Sequence, residues 1–487
     1  MWVDFLHRNA QRYPNRTALT LVERDHDVSY AELNTLAARC ATWLSDRGVR
    51  AGDRVAMLAV NRLEHLTFFF GCTKLGAIFV PLNFRLAEPE LRAQLHRLEP
   101  KVFLTAGFPA FAEESIDLDR LTLPDNADYR PHDVDHRDTL MILFTSGSTG
   151  EPKGVMLHAG MLLWNIFNTR TEWDLGPNDV SAAHAPFFHT GGYNVFTLPL
   201  LHAGGRLVLT EQFDAEHMVR LIESEGMTVF FGVPTMFDMM RRSKAFDRAR
   251  FPQLRFMISG GAPCPLTLSA AWQTKGVHFR QGFGMTEVGP NCFAIDEETA
   301  LNHPQSVGRP MCHSQVRLID EQGREVGPNE PGELCIRGPH VCAGYWRDAD
   351  TFRETCPDGF FRTGDLAMRD ERGLFTIVGR KKDMYISGGE NVFPGEVVRH
   401  LLALPGVHDA QVVAVPDTRW GEVGFAFLVA DREMTLAELR TLLEPHLSRY
   451  KHPQHLRCLS EFPLLANGKV DRATLTAWAV EGVQHVG

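Results

Sequence analysis

Along the first 300 residues the apolar positions alternate between two spacings. From 31 to 46, Leu33, Leu36, Ala37, Cys40 and Leu44 fall on one helical face, and Gly48 marks the end of that helix. The run VAMLAV at 55–60 follows without a break, the pattern of a strand buried on both faces. Similar units recur at 139–144, 206–210, 227–232 and 255–259, each a short apolar strand leading into a turn and a helical stretch. This alternation predicts an α/β chain whose mostly parallel sheets are covered by helices, with ligands at the loops beyond the strand ends. After residue 305 the spacing changes. Short strands at 315–319, 332–337 and 373–378, separated by Gly, Pro and Asp turns, predict a β-rich subdomain. A charged break, GRKKD at 379–383, precedes a last stretch with its own helix and strand signals at 397–404, 411–415, 425–429 and 436–448. The expected organisation is a large domain over 1–380, joined by a polar hinge to a small α+β domain over 381–487.

Length agrees with this division, since 487 residues exceed one ordinary core. Hydrophobic residues make up 44% and charged residues 23%, and a net charge of −10 spread over the chain disfavours nucleic acid as a partner. Residues 1–14 lack the basic start and apolar run of a secretory signal. The most apolar stretch, 66–82, is interrupted by Lys74 and two glycines and is short for a bilayer span. A cytoplasmic protein without a transmembrane segment is expected. Nine cysteines with no C-x-x-C pair and no metal-type spacing to histidines argue against a disulfide framework and a structural zinc. Only nine of the 50 basic residues are lysines, and four of them, Lys153, Lys381, Lys382 and Lys469, fall in the motifs described next. Chance is one explanation; the other is that a compact, flexible point charge is needed there.

The strongest local signal is TSGSTGEPKGV at 145–155, directly after an apolar strand. Backbone N–H groups and hydroxyls of Thr145, Ser146, Gly147, Ser148, Thr149 and Gly150 can wrap a polyphosphate, with Lys153 adding charge. The competing reading is a solvated Ser/Gly turn. A Walker A loop is excluded, because Pro152 and Gly154 occupy two of the places its ending requires.

This loop resembles the phosphate loop of the adenylate-forming (AMP-binding) superfamily, and the resemblance runs nearly the whole chain in order. PFFHTGG at 186–192, SGGAP at 259–263, QGFGMTE at 281–287, FRTGDL at 361–366, GRKKD at 379–383, ISGGENVFPGEV at 386–397 and ANGKVDR at 466–472 follow in register. The closest branch is that of the acyl-CoA synthetases, or carboxylate–CoA ligases. The resemblance implies that Glu287 holds Mg²⁺ while Thr286 contacts the α-phosphate, a use of one carboxylate that suits magnesium. It places Gly260, Gly261, Ala262, Gly282, Phe283, Gly284 and Met285 around ATP or AMP. Phe283 stands where the family usually has a tyrosine stacked on adenine; it keeps the ring and loses the hydroxyl. Asp365 and Arg380 are implied to reach the ribose, and Lys469 to bridge the substrate carboxylate and the α-phosphate during adenylation. His189 resembles a gate between the acid pocket and the CoA tunnel, a buried core histidine being the alternative. With His189, the residues Gly191, Tyr193, Asn194, Gly232 and Gly284 are implied to line the acid pocket.

The same resemblance makes Lys382 the hinge about which the small domain turns between the two half-reactions. It assigns Ser387, Gly388 and Gly389 to the pantetheine tunnel, and Arg85 and Trp420 to the nucleotide end of coenzyme A. His452 and Gln454 depart from the pattern, since relatives often carry basic residues there. Gly389 has a second reading, a turn glycine at positive φ. The implied activity is ATP-dependent, AMP-forming conversion of a carboxylic acid to acyl-AMP and then acyl-CoA, with ATP, Mg²⁺ and coenzyme A as cofactors. The alternatives are an adenylating enzyme that loads a carrier protein or stops at acyl-AMP, and a non-catalytic acyl-AMP or ATP-binding protein. Segments 184–197, 229–234, 259–264 and 281–293 are rich in Phe, Gly and Met and contain Glu287 as their one carboxylate, so an apolar acid is expected. Fatty acids, benzoates, cinnamates and succinylbenzoate all stay open as that acid.

Overall fold

The structure, a computed structural model, describes residues 4–145, 152–262, 264–465 and 470–484. The apolar stretch 66–82 divides into a helix, Leu63–Leu75, and a strand, Ile78–Pro81, with Gly76 at φ +68 turning the chain between them. Every residue of that helix from His65 onward is buried, because it packs against the helix Tyr30–Asp46 on one side and the sheet on the other. Lys74 is buried with it. Its ammonium lies 2.5 Å from Asp4 Oδ2 and 3.0 Å from Asn34 Oδ1, the pairing that a cation removed from water requires.

Seven strands form the first sheet, in the order Gly344–Tyr345, Lys153–His158, Thr139–Thr145, Ile78–Pro81, Arg54–Leu58, Val102–Thr105 and Ile116–Asp117. Its central and far members run parallel, while Lys153–His158 returns antiparallel to Thr139–Thr145. A four-stranded sheet orders His26–Ser29, Thr17–Leu21, Arg206–Leu209 and Val180–Ala183. A third sheet is wholly parallel and consists of Val229–Gly232, Phe256–Ser259 and Phe279–Gln281. Behind it Trp272, fully buried, meets the rings of Phe237, Phe246 and Phe251. Deleting a ring in such a place costs about 3–5 kcal/mol. The expected helix-covered, mostly parallel architecture is therefore present.

The β-rich part is a four-stranded antiparallel sheet, Gln315–Ile319, Gly332–Arg337, Phe361–Arg369 and Phe375–Arg380. The strand expected at 373–378 begins two residues later, because Gly373 belongs to the turn at φ +80. Phe361–Arg369, which the sequence presents as a motif rather than a strand, is a full member with register shifts on both edges. Beyond residue 383 a five-stranded sheet is built from Glu390–Val392, Tyr385–Ser387, Gly421–Ala430, Val407–Asp417 and His455–Cys458. Helices Pro394–Leu402 and Leu436–Leu443 cover it, and Tyr385, Val397, Leu401, Val412, Leu428 and Leu439 close a core of their own. Among the described residues no helix is long and apolar enough to cross a membrane.

Candidate active site

The parallel strands Val229–Gly232, Phe256–Ser259 and Phe279–Gln281 end side by side; the first ends on a glycine and each of the other two is followed by one. A sheet of this kind leaves its ligand groove at the carboxyl ends of the strands. Gly232, Gly260, Gly261 and Ala262 and the segment from Gly282 to Glu287 are brought together at that edge. The path after Gly282 is tight: a β-carbon on Gly284 would stand 2.2 Å from the Pro290 carbonyl, so no other residue fits. That turn delivers Glu287 to the interior.

Glu287 is 7% exposed, and its carboxylate accepts a hydrogen bond from the Tyr345 hydroxyl at 3.2 Å. Burial pushes its pKa up; hydrogen bonding, including that of Tyr345, and the charges of Arg380 and Lys153 pull the other way, and burial wins. No cation lies within 4 Å of it among the described residues. Lys153 Nζ sits 5.1 Å from the centre of the Tyr345 ring, so the tyrosine stands between the carboxylate and the lysine of the phosphate loop. A hard oxygen donor, desolvated and without an ion pair, fits a small divalent cation, which would supply the missing positive charge. Neither composition nor motif marked Tyr345. The Gly344–Tyr345 strand pairs it with Val155, and this long-range pairing aims its hydroxyl at Glu287.

Asp365 and Arg380 face each other as a register pair of adjacent antiparallel strands. Arg380 Nε donates to Asp365 Oδ1 at 2.7 Å, and the Asp365 amide donates to Thr363 Oγ1 at 3.1 Å. Asp365 is 5% exposed and Arg380 is open to solvent, so the pair presents a buried acceptor under an accessible guanidinium. Phe283 is half-buried, with its ring edge-on to Phe293 at 5.9 Å. Thr286 and Met285 are half-buried on the same turn. Ser146, Gly147, Ser148, Thr149, Gly150 and Lys469 lie outside the described residues.

On the other side of the groove His189 is half-buried, and its ring lies 4.4 Å from that of Phe188. Phe188 meets Phe84 edge-on at 5.3 Å, and the Arg85 guanidinium lies 5.6 Å from the Phe84 ring centre. Arg85 and His189 therefore belong to one aromatic ridge. Two residues expected to line the acid pocket are buried in the core instead. Tyr193 is fully buried, donates to the His65 carbonyl at 3.0 Å and packs on Phe187 and Phe69. Asn194 is 2% exposed, donates to Thr190 Oγ1 at 3.1 Å, and its carbonyl accepts from Asn165 at 2.7 Å and Asn291 at 3.2 Å. Both side chains turn inward because Gly191–Val195 is a π-helical turn over the core. Gly191 is half-buried, and the Phe231 ring lies 3.1 Å from where its β-carbon would stand.

Ser387, Gly388 and Gly389 form the tip of the hairpin between Tyr385–Ser387 and Glu390–Val392. Gly388 and Gly389 take φ +62 and +88, which makes the turn reading of Gly389 a structural fact. A β-carbon on Gly389 would meet nothing within 4 Å, so the space beside it is open as well. The Gly388 amide donates to the Trp420 carbonyl at 2.9 Å, and the Trp420 ring covers Gly388. Lys382 is exposed on a short turn, Lys381–Asp383. Lys381 Nζ reaches Glu333 Oε2 of the β-rich sheet at 2.9 Å, and Asp383 Oδ2 lies 3.4 Å from Arg472 Nε at the far end of the chain.

Comparison with known proteins agrees with this arrangement. The model of the AMP-binding enzyme family matches residues 6–346, and that of the AMP-binding enzyme C-terminal domain matches 399–469. A feruloyl-CoA synthase of Amycolatopsis sp is 38% identical over 476 residues, covering 95% of this chain and 96% of its own. An indoleacetate–CoA ligase of Aromatoleum aromaticum is 36% identical over 492 residues, covering 96% of each. The o-succinylbenzoate-CoA synthetase of Bacillus subtilis, solved with its acyl-adenylate intermediate, superposes with a TM-score of 0.88 at 28% identity over 97% of both chains. A groove lined by strand-end glycines, a buried lone carboxylate, an Asp–Arg pair at its rim and full-length likeness to these enzymes have one account: the chain belongs to the AMP-binding enzyme family, in its carboxylate–CoA ligase branch.

Proposed function

We propose that this protein activates an apolar carboxylic acid, fatty or aryl, with ATP and passes the acyl group to coenzyme A. The observation that carries the reading is Glu287: a buried carboxylate with no ion pair among the described residues, bonded to Tyr345 and within the fields of Lys153 and Arg380. In the first step an oxygen of the substrate carboxylate attacks the α-phosphorus, the bond to pyrophosphate breaks, and an acyl-AMP anhydride forms. The step needs little beyond positioning and charge stabilisation. Thr286 and Lys469 hold the α-phosphate and the incoming carboxylate, Asp365 and Arg380 hold the ribose, and Phe283 offers its ring to adenine. Glu287 would hold Mg²⁺, which when bound neutralises phosphate charge.

In the second step the CoA sulfur attacks the acyl carbon and AMP leaves. Lys469 must vacate the site for the thiol. A turn of residues 381–487 about Lys382 does this and brings Ser387, Gly388 and Gly389 to the groove, with Arg85 and Trp420 left to meet the nucleotide end of CoA. Release of AMP that depends on CoA, together with acid-dependent ATP–pyrophosphate exchange, tests the whole scheme. Exchange without CoA-dependent AMP release would favour carrier-protein loading or arrest at acyl-AMP, and neither signal would favour a binding protein.

A further inference from the structure

The half-buried ring of Phe231 sits one residue before the strand end at Gly232, outside the motifs. The strand Val229–Gly232 alternates faces: Phe230 turns into the cluster of Phe237, and Phe231 turns the opposite way, against the main core. One ε-carbon of the Phe231 ring lies 3.1 Å from where a Gly191 β-carbon would stand, and the other ε-carbon lies 3.2 Å from the corresponding point on Gly260. The ring thus spans the gap between the loop after His189 and the loop after Ser259. It reaches both only because neither carries a side chain.

We propose that Phe231 bridges Gly191 and Gly260 to close the acid-binding slot with a flat wall, and that this wall selects planar aryl acids over long alkyl acids. The inference rests on the ligase reading above and names the substrate class of that same site. Two glycine backbones and a phenyl ring leave no side chain projecting into the slot, so an arene can lie against them in an offset or edge-on contact. An alkyl chain of more than ring length needs a continuing tube, and the bridging ring fills the place where that tube would run. Specificity of this origin follows pocket shape, and one filled or emptied group changes discrimination by about 10- to 200-fold.

The test is CoA-dependent AMP release by the full-length protein with arylpropenoates and benzoates against decanoate and dodecanoate. Wild type is expected to favour the aryl acids by at least about tenfold in kcat/KM. Phe231→Ala should lower the aryl values and raise the alkyl ones while the KM for ATP holds. Gly191→Ala should crowd the ring and depress aryl acids, and adding Phe231→Leu should recover them, a rescue that general damage to the fold would not give. Wild type accepting decanoate as well as the aryl acids, or Phe231→Ala lowering all acids in proportion, overturns the assignment of Phe231 alone. Wild type releasing no AMP with any acid overturns the ligase reading and this inference with it.

Discussion

The two ends of the groove are made differently. At the nucleotide end Glu287 and Asp365 are more than nine-tenths buried, and each is met by a side chain from a separate strand, Tyr345 for Glu287 and Arg380 for Asp365. At the proposed thiol end Gly388, Gly389 and Trp420 lie exposed on two adjoining turns, tied together by the hydrogen bond from the Gly388 amide to the Trp420 carbonyl. A charge fixed in a desolvated place acts more strongly on a reacting group and does not reorganise during the step. A hairpin with open space beside it can instead be carried from one surface to another. On the proposed scheme the first half-reaction would be served by preorganisation and the second by delivery.

Changes at the two ends should accordingly separate the half-reactions. Lys469→Ala is expected to have the largest effect, lowering pyrophosphate exchange about 10²- to 10³-fold while sparing thioester formation from supplied acyl-AMP. Comparable loss in both half-reactions would erase the distinction between the ends. Next is Tyr345→Phe, which removes the hydrogen bond that lowers the Glu287 pKa. Adenylation should fall about tenfold with a higher Mg²⁺ requirement, as for loss of a partner behind a metal ligand. Because the remaining influences leave Glu287 harder to ionise, the acidic limb of the adenylation pH profile should move to higher pH; an unmoved limb would detach Tyr345 from catalysis.

Gly389 sharpens the comparison from the other side. At φ +88, leucine there costs about 1–2 kcal/mol of backbone strain, so Gly389→Leu should lower the melting temperature and slow both steps. Asparagine tolerates that region, and Gly389→Asn should keep stability and exchange while slowing CoA-dependent turnover alone. If Gly389→Asn turns over CoA normally, the glycine serves only the turn.

The smallest effect is expected where the two parts meet. Asp409, on Val407–Asp417, has its pKa raised to about 6, first by burial and further by the charge of Asp238 on the helix Pro234–Arg242. A carboxyl raised in the folded state contributes stability that is full below its unfolded value near 4 and lost as pH rises through about 6. Asp409→Asn should therefore raise the melting temperature by about 2 °C at pH 8 and leave it unchanged at pH 4. A gain of equal size at both values would deny that ionisation of Asp409 opposes the contact.

Much of the fold was legible because period and length agree in strands such as Arg54–Leu58 and Val229–Gly232. Phe361–Arg369 escaped as a strand because Gly364 at φ +70 and two register shifts break its alternation. In the site, turn-borne residues such as Glu287 carry a local signature. Tyr345 does not, since its role depends on a partner 58 positions away. Phe231 is one apolar residue among several until the facing glycines are placed. Tyr193 and Asn194 mislead for the converse reason: they sit within a motif, and a π-helical turn sends their side chains behind the surface it lines.

The ion pair between Asp383 and Arg472 has a mechanical consequence. Arg472 stands three positions after Lys469, and Asp383 one position after Lys382, so the pair ties the start of the helix Arg472–Gln484 to the turn that carries Lys382. Under the proposed turn about Lys382, Arg472 and Asp383 would therefore move together. Lys381, one residue before Lys382, is held in turn by Glu333 of the β-rich sheet, a contact the proposed turn would have to break or carry. On the proposed reading, Lys382 would turn between two neighbours that are each held by an ion pair, so a small torsional change there would be passed on to the residues that follow.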